Sequence, residues 1–249
     1  MSRVMTVPFA FIFCASALSA QAAPHAVTVP FVGCNSMMQG EERPAPQGKP
    51  IKLSVDPQVA SRLAFYQSAS DDGVYAPRGW HCANLGGSNG WMLFVAPYPI
   101  KPDDFLMPHA HTVAGPFIQV MERYGGTSGR FDVARLIARY FPEQRGFARS
   151  VIAEKIEPAS AFPSVPYAKD RLVSRKKGVV EYLTPPHAKG LGTEIWLKPD
   201  DQPILSTAMM SGDVEEPNAV VATIRLPKDM TDLAPIILHQ AEQHYAATK

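Results

Sequence analysis

The sequence predicts an α+β fold: a single compact domain with an antiparallel β-sheet, a helical segment in the middle and a C-terminal helix. Three observations lead to this prediction. Apolar residues at helical spacing are grouped in the middle of the chain, at 117–156. Short apolar runs separated by Gly, Pro and Asp fill the last third. The 24 prolines indicate many fixed turns, and helices grouped apart from a run of strands are typical of an antiparallel α+β domain.

The first 22 residues have the pattern of a bacterial secretory signal peptide. Arg3 precedes the apolar run 7–15, and Ala20-Gln21-Ala22 forms an A-x-A cleavage site. We therefore expect cleavage near Ala22 or Ala23 and a periplasmic or secreted protein. An apolar run this short does not span a bilayer, which takes roughly 20 residues, and no later segment is long enough, so we expect no transmembrane segment.

Cysteine usage predicts one disulfide. Removal of the signal peptide takes Cys14 away and leaves Cys34 and Cys82 in an oxidising compartment. Two cysteines in an exported protein usually form a bond.

Residues 23–100 are predicted to form an N-terminal β-rich lobe that holds this disulfide. Strand patterns cover 27–32 and 51–55, and 91–97 is apolar on both faces, as in a strand buried within a sheet. Asp56 is a plausible N-cap for a helix that starts at Pro57, with Val59, Leu63 and Tyr66 at helical spacing.

Residues 101–249 are predicted to form an α+β lobe that belongs to one domain with the first. The connection 97–108 holds four prolines and is the best candidate for a boundary between the lobes. Helical stripes follow at 117–124, 133–141 and 147–156.

The C-terminal third is predicted to be mostly β-structure. The basic cluster 171–177 has the composition of a solvated turn between strands. Asp232 can cap a last helix that has Pro235 in its first turn and buries Leu233, Ile236, Ile237 and Ala241. The expected strands are Val179–Leu183, Glu194–Leu197, Ile204–Met209 and Ala219–Leu226.

The charge balance excludes nucleic acid as an electrostatic partner. The chain has 24 Lys and Arg against 23 Asp and Glu, and loss of Arg3 with the signal peptide leaves 23 of each. A near-neutral exported chain lacks the basic excess of a nucleic-acid-binding protein.

Gly86-Gly87-Ser88-Asn89-Gly90 matches G-x-S-x-G, the nucleophile elbow of α/β-hydrolases. In those enzymes the serine lies between a strand and a helix, whereas a strand pattern follows Ser88. The context favours a glycine-rich turn between two β-segments, with a nucleophilic serine as the alternative.

His109 and His111 are the candidate metal ligands. In an extended segment their side chains lie on the same face because strand side chains repeat every two residues, and imidazole ligands suit zinc. An ordinary loop is the competing interpretation. His239 and His244 are five residues apart, which places them on different faces of a helix, so they cannot share one ion.

Several segments resemble a block shared by uncharacterised secreted bacterial proteins. The first runs from Tyr75 to Cys82 and reads Ala-Pro-Arg-Gly-Trp-His-Cys from Ala76, followed by Gly87-Ser88-Asn89-Gly90 and an apolar strand that ends at Pro97. The stretches 179–185, 190–193 and 225–227 also resemble theirs. The resemblance covers most of the mature chain and implies export and one shared fold, without an activity, a cofactor or catalytic residues.

Two hypotheses for function follow. The first is an exported, non-catalytic binding or accessory protein of the cell envelope, without a cofactor, that binds a small molecule or an envelope partner. Its possible binding surface is Arg78, Trp80 and Trp91, where aromatic area and a charged donor lie close in sequence; the competing interpretation places both tryptophans in the core. The alternative is a metal-dependent hydrolase that uses zinc held by His109 and His111.

Under the hydrolase hypothesis, purified protein loaded with zinc should retain about one equivalent, since a catalytic zinc site has three protein ligands. Loss of two ligands in His109→Ala/His111→Ala should remove most of that zinc in elemental analysis. Equal zinc in both proteins would contradict the hypothesis.

Overall fold

The computed structural model describes residues 26–70, 73–106 and 112–246. The predicted signal peptide, residues 1–22, lies outside the described residues. The described α-helices are α1 (Pro57–Ser61), α2 (Arg130–Tyr140), α3 (Arg145–Ala153) and α4 (Ala234–Ala246). The described strands are β1 (Ala26–Val29), β2 (Phe31–Gly33), β3 (Asn35–Met38), β4 (Glu41–Arg43), β5 (Ile51–Ser54), β6 (Leu63–Gln67), β7 (Gly73–Pro77), β8 (His81–Gly87), β9 (Gly90–Ala96), β10 (Phe117–Arg123), β11 (Arg171–Lys176), β12 (Val179–Thr184), β13 (Ile204–Ser211) and β14 (Asn218–Arg225).

A nine-stranded sheet forms the centre of the molecule. Its strand order is β11-β12-β13-β14-β10-β9-β8-β3-β4. All neighbouring strands are antiparallel except β3 and β8. Two smaller sheets, β2-β6-β7 and β1-β5, come from the N-terminal third. The α+β class, the antiparallel sheet, the helices in the middle and the C-terminal helix are confirmed.

The central strands of the large sheet are buried on both faces. Along β10, Ile118 and Val120 belong to one core cluster, while Met121 and Phe117 belong to clusters on the opposite face. The two sets alternate because strand side chains point to opposite faces in turn. A sheet covered on both sides has strands that are apolar almost throughout.

Helix α4 and the small sheets cover one face. Ile237, Leu238, Ala241 and Tyr245 are buried there, and α4 contacts β7, β13 and β14. The prediction of this helix from its apolar spacing agrees with the structure, although Ile236 is only half-buried.

Helices α2 and α3 cover part of the opposite face. The predicted stripe on α2 is buried there, and the helix ends just before Pro142, as the sequence indicates. Beside it, the Phe94 ring stacks on Phe105 with ring centroids 4.0 Å apart, which holds the short 3-10 turn Pro102–Phe105 against the sheet.

The side chain of Arg225, at the end of β14, is completely buried. Nη1 donates to the carbonyl of Lys198 at 2.7 Å, Nη2 donates to that of Val113 at 2.9 Å, and Nε donates to that of Gly115. Three carbonyl acceptors offset the cost of burying the charge. The guanidinium thereby fixes the connection before β10 to the segment that precedes β13.

The segment 117–124, predicted to be helical, is strand β10. It pairs with β9 on one side and β14 on the other. Its apolar residues fit a helical stripe and a strand buried on both faces equally well, and pairing with two neighbours decides between them. Gln119 and Arg123 also point into the protein, where Arg123 donates to Asp132 at 3.0 Å.

Three other local predictions need correction. Helix α1 starts as predicted, with Asp56 accepting from the Gln58 amide at 2.7 Å, but it is one turn long, and Leu63 and Tyr66 lie in β6. Glu194–Leu197 is irregular rather than a strand, apart from one bridge between Leu197 and Val113. The basic cluster 171–177 is strand β11 and the start of its turn.

The large sheet continues across the proposed boundary between lobes. Strands β9 and β10, which precede and follow the proline-rich connection, are direct neighbours. Within the described ranges, no helix is long and apolar enough to cross a membrane.

The predicted disulfide between Cys34 and Cys82 is present, with an S–S distance of 2.04 Å and a Cα–Cα distance of 5.2 Å. Cys34 lies between β2 and β3, and Cys82 lies on β8, which pairs with β3. The bond therefore fastens the N-terminal arm to the large sheet across a sequence separation of 48 residues.

Replacing both cysteines (Cys34→Ala/Cys82→Ala) should lower the free energy of unfolding by about 2–4 kcal/mol, because the unfolded chain regains the freedom that the closed loop removes. Urea denaturation of the oxidised wild type and the double variant measures the difference. Reduced wild type is the control and should match the variant. A double variant as stable as the oxidised protein would contradict the structural role of the bond.

Candidate functional site

The three residues of the predicted binding surface differ in exposure. Arg78 lies exposed in the turn after β7. Trp80 and Trp91 are 9% and 2% exposed and belong to the core beneath α4. The Trp91 indole N–H donates to Glu122 at 2.9 Å. The indole rings therefore offer little area to a ligand in this conformation, and binding at this place stays a prediction.

The G-x-S-x-G segment is a hairpin turn. Strands β8 and β9 pair up to Gly87 and Gly90, which leaves Ser88 and Asn89 exposed at the tip. A strand follows the serine where a nucleophile elbow has a helix. The geometry agrees with the turn interpretation.

The predicted zinc ligands, His109 and His111, lie outside the described residues, so their role stays a prediction. Within 26–70, 73–106 and 112–246, no group of three or more His, Cys, Asp or Glu side chains is placed to hold a metal ion. His239 is exposed on α4, whereas His244 packs against Phe65, with ring centroids 5.8 Å apart.

A cluster of carboxyl and phenol groups lies between α2, the loop before β11 and the 3-10 turn Leu191–Thr193. Arg139 is 3.3 Å from the Glu194 carboxylate, and its guanidinium lies 4.0 Å from the centre of the Tyr167 ring. Burial raises the pKa of Glu194 and also that of Asp170. Asp170 accepts hydrogen bonds from the Thr184 hydroxyl at 2.7 Å and the Leu191 amide at 2.8 Å.

Carboxyl groups with shifted pKa values are candidates for acid–base chemistry when a cleft reaches them. The cavity beside Glu194, lined also by Gln119, Gly192 and Thr223, has about 10 Å³ of space for a water-sized sphere. That is about enough for one water molecule, whereas ligand sites are roughly 300 Å³ or larger. The Glu194 cluster is therefore closed to a substrate in this conformation.

A second carboxyl pair joins α4 to the outer part of the sheet. Glu181 lies on β12 and Glu242 on α4, and the two carboxyl groups interact. Burial, and next the neighbouring Glu242 carboxyl, raise the pKa of Glu181. Glu242 also accepts from Lys176 at 3.2 Å. Both residues adjoin β11: Glu181 lies on its neighbour β12, and Glu242 contacts Lys176 of β11.

Strand β11 is an open edge of the nine-stranded sheet. Leu172 and Val173 are 52% and 53% exposed there, beside a β-bulge between Leu172 and Ser174. Val165, in the segment leading to the strand, is 65% exposed. Three of the six exposed large apolar residues in the described part of the chain thus lie within nine residues.

The opposite edge of the sheet, β4, is protected differently. It is three residues long and consists only of the charged residues Glu41, Glu42 and Arg43. Short, charged edge strands are a common protection against unwanted pairing. Strand β11 has a bulge and basic side chains, which also limit pairing, but it is six residues long and exposes two aliphatic side chains at its centre. We call β11 with Val165 and the flanking Lys169 and Lys177 the β11 edge.

Comparison with known proteins finds no family model, no curated protein and no solved structure that matches the chain. The sequence pointed to 171–177 only as a basic turn. The adjacent Leu172 and Val173 within this basic cluster were the signal in the sequence for a strand at this place.

The variant Glu181→Gln should make the free energy of unfolding less dependent on pH. The raised pKa means that the folded protein keeps a proton that the unfolded chain loses above the ordinary value of 4.5. Wild-type stability should therefore fall as pH rises from 4.5 through the raised pKa. An amide removes this ionisation, and the gain at neutral pH should be at most about 1 kcal/mol because solvent screens the pair.

Urea denaturation between pH 4 and 8 measures this effect, with Glu143→Gln on the exposed α2–α3 connection as the matched control. Parallel pH profiles for Glu181→Gln and wild type would contradict a raised pKa for Glu181 in the folded protein.

Proposed function

We propose that this chain is an exported, non-catalytic binding module of the cell envelope and that it binds its partner through the β11 edge. The observation that carries this proposal is that β11, in the described part of the chain, pairs with β12 on one side and is open on the other, with exposed Leu172 and Val173 at its centre. Its outward N–H and C=O groups are a template for another strand. Exposed apolar residues grouped at one place are typical of interaction sites.

Export is supported by two independent features. The disulfide between Cys34 and Cys82 suits an oxidising compartment, and residues 1–22 have the pattern of a signal peptide. A periplasmic or secreted location agrees with both.

The closed cluster around Glu194 supports binding rather than catalysis. Glu194 is bound to Arg139, and Asp170 is bound to Thr184 and Leu191. The two carboxyl groups with pKa values suited to acid–base catalysis are therefore already engaged. The cavity beside Glu194 is too small for a substrate.

Site-specific photo-crosslinking in the producing cells tests the proposal. A photoreactive amino acid at Leu172 or Val173 should give the same discrete adduct, because both side chains would lie against the partner. Val214 is 75% exposed on the β13–β14 loop and is the matched control. An adduct of the same mass at Val214, or none at either edge position, would overturn the proposal.

A further inference from the structure

We infer that the partner of the β11 edge is an extended, acidic and aliphatic segment of another protein, which pairs with β11 as a tenth strand. This inference rests on the proposed function and adds the chemistry and conformation of the partner. It depends on three features of the edge: its backbone, its charge and its exposed aliphatic residues.

The backbone of β11 is paired on one side only. It forms an antiparallel ladder with β12, from Arg171 opposite Leu183 to Lys176 opposite Val179. In such a ladder every second residue directs its N–H and C=O away from the neighbour, toward the open side, and the bulge between Leu172 and Ser174 shifts this alternation at Val173. An extended segment can satisfy these groups along the strand, as in other proteins that bind peptides by strand addition.

The charge of the edge is strongly positive. Lys169, Arg171, Arg175, Lys176 and Lys177 lie within nine residues. The single acidic residue among them, Asp170, is turned inward to Thr184 and the Leu191 amide. Acidic side chains on an added strand would lie opposite these cations, and opposite charges across strands are stabilising.

Two of these cations already have partners within the protein. Lys176 contacts Glu242 at 3.2 Å, and Arg175 donates to the Tyr140 carbonyl at 2.9 Å. Lys169, Arg171 and Lys177 are exposed. They flank Leu172 and Val173, so the edge presents an aliphatic centre between cations. An alternation of acidic and aliphatic residues fits this pattern.

A second copy of the chain fits poorly. Antiparallel pairing of two β11 strands about Val173 would place Arg171 of each copy opposite Arg175 of the other. Like charges directly opposite each other destabilise a strand pair. The cations thus disfavour self-pairing and favour an acidic partner.

An anionic polymer or lipid surface would use only the cations. It would leave the outward amides and carbonyls of β11 without partners of the right geometry and would not need Leu172 or Val173. The strand edge therefore favours a polypeptide.

The test uses the purified oxidised protein and fluorescent eight-residue peptides, with binding followed by fluorescence anisotropy. A peptide that alternates valine and glutamate should bind, and the same peptide with lysine in place of glutamate should bind at least about tenfold more weakly. Two further versions carry N-methyl groups on alternate amides, one version at the odd positions and the other at the even positions. Only the version whose methyl groups replace the N–H groups that point toward β11 should fail to bind.

Charge reversal on the protein tests the same surface. Arg171→Glu/Lys177→Glu should weaken binding of the acidic peptide by about tenfold or more. The matched control is Arg145→Glu/Arg149→Glu, an equal change at exposed positions on α3, which should leave binding unchanged. Circular dichroism and thermal melting verify that both variants are folded.

Each other outcome overturns the inference. If both N-methylated peptides bound equally well, the cations of the β11 edge would attract the acidic peptide through charge alone, without strand pairing. Absence of binding by the acidic peptide would exclude this partner class. A wild-type dimer in sedimentation velocity that Leu172→Asp dissociates would identify a second copy as the occupant. If crosslinks form at Leu172 while the acidic peptide fails to bind, the proposed function stands and only the partner class is wrong.

Discussion

Burial of the central strands of the nine-stranded sheet on both faces is the constraint on which the rest of the structure depends. Helix α4 and the small sheets cover one face, and α2 with α3 covers part of the other. Because the central strands are buried on both sides, their polar side chains need partners inside the protein. Arg225 finds three carbonyl groups, and Arg123 finds Asp132.

This constraint also explains where ionisable groups with shifted pKa values occur. Glu194 and Asp170 lie where the turn Leu191–Thr193 closes over the sheet, and burial there raises both pKa values. Here each has hydrogen-bond or ion-pair partners, and the adjoining space suits one water molecule. The shifted values are a consequence of packing.

The two edge strands of the sheet, β4 and β11, are exposed to solvent. At β4 the edge is short and fully charged, which suits a place where no strand should add. At β11 the edge is longer and carries exposed aliphatic residues between cations. The carboxyl pair of Glu181 and Glu242 lies behind it and connects it to α4 through Lys176. The strand proposed for binding is therefore held to helix α4 by the contact between Lys176 and Glu242.

The sequence by itself determined the features that depend on neighbouring residues or on simple counting. The stripe on α2 ended at Pro142, Asp56 capped α1, and Cys34 and Cys82 formed the disulfide that cysteine usage predicted. The candidate site was much less predictable. Exposure of Leu172 and Val173, and burial of Trp80 and Trp91, follow from which strands are neighbours. Only the tertiary structure decided that 117–123 is a strand and that β11 is an edge, because apolar spacing describes one segment, whereas strand pairing joins residues far apart in the chain.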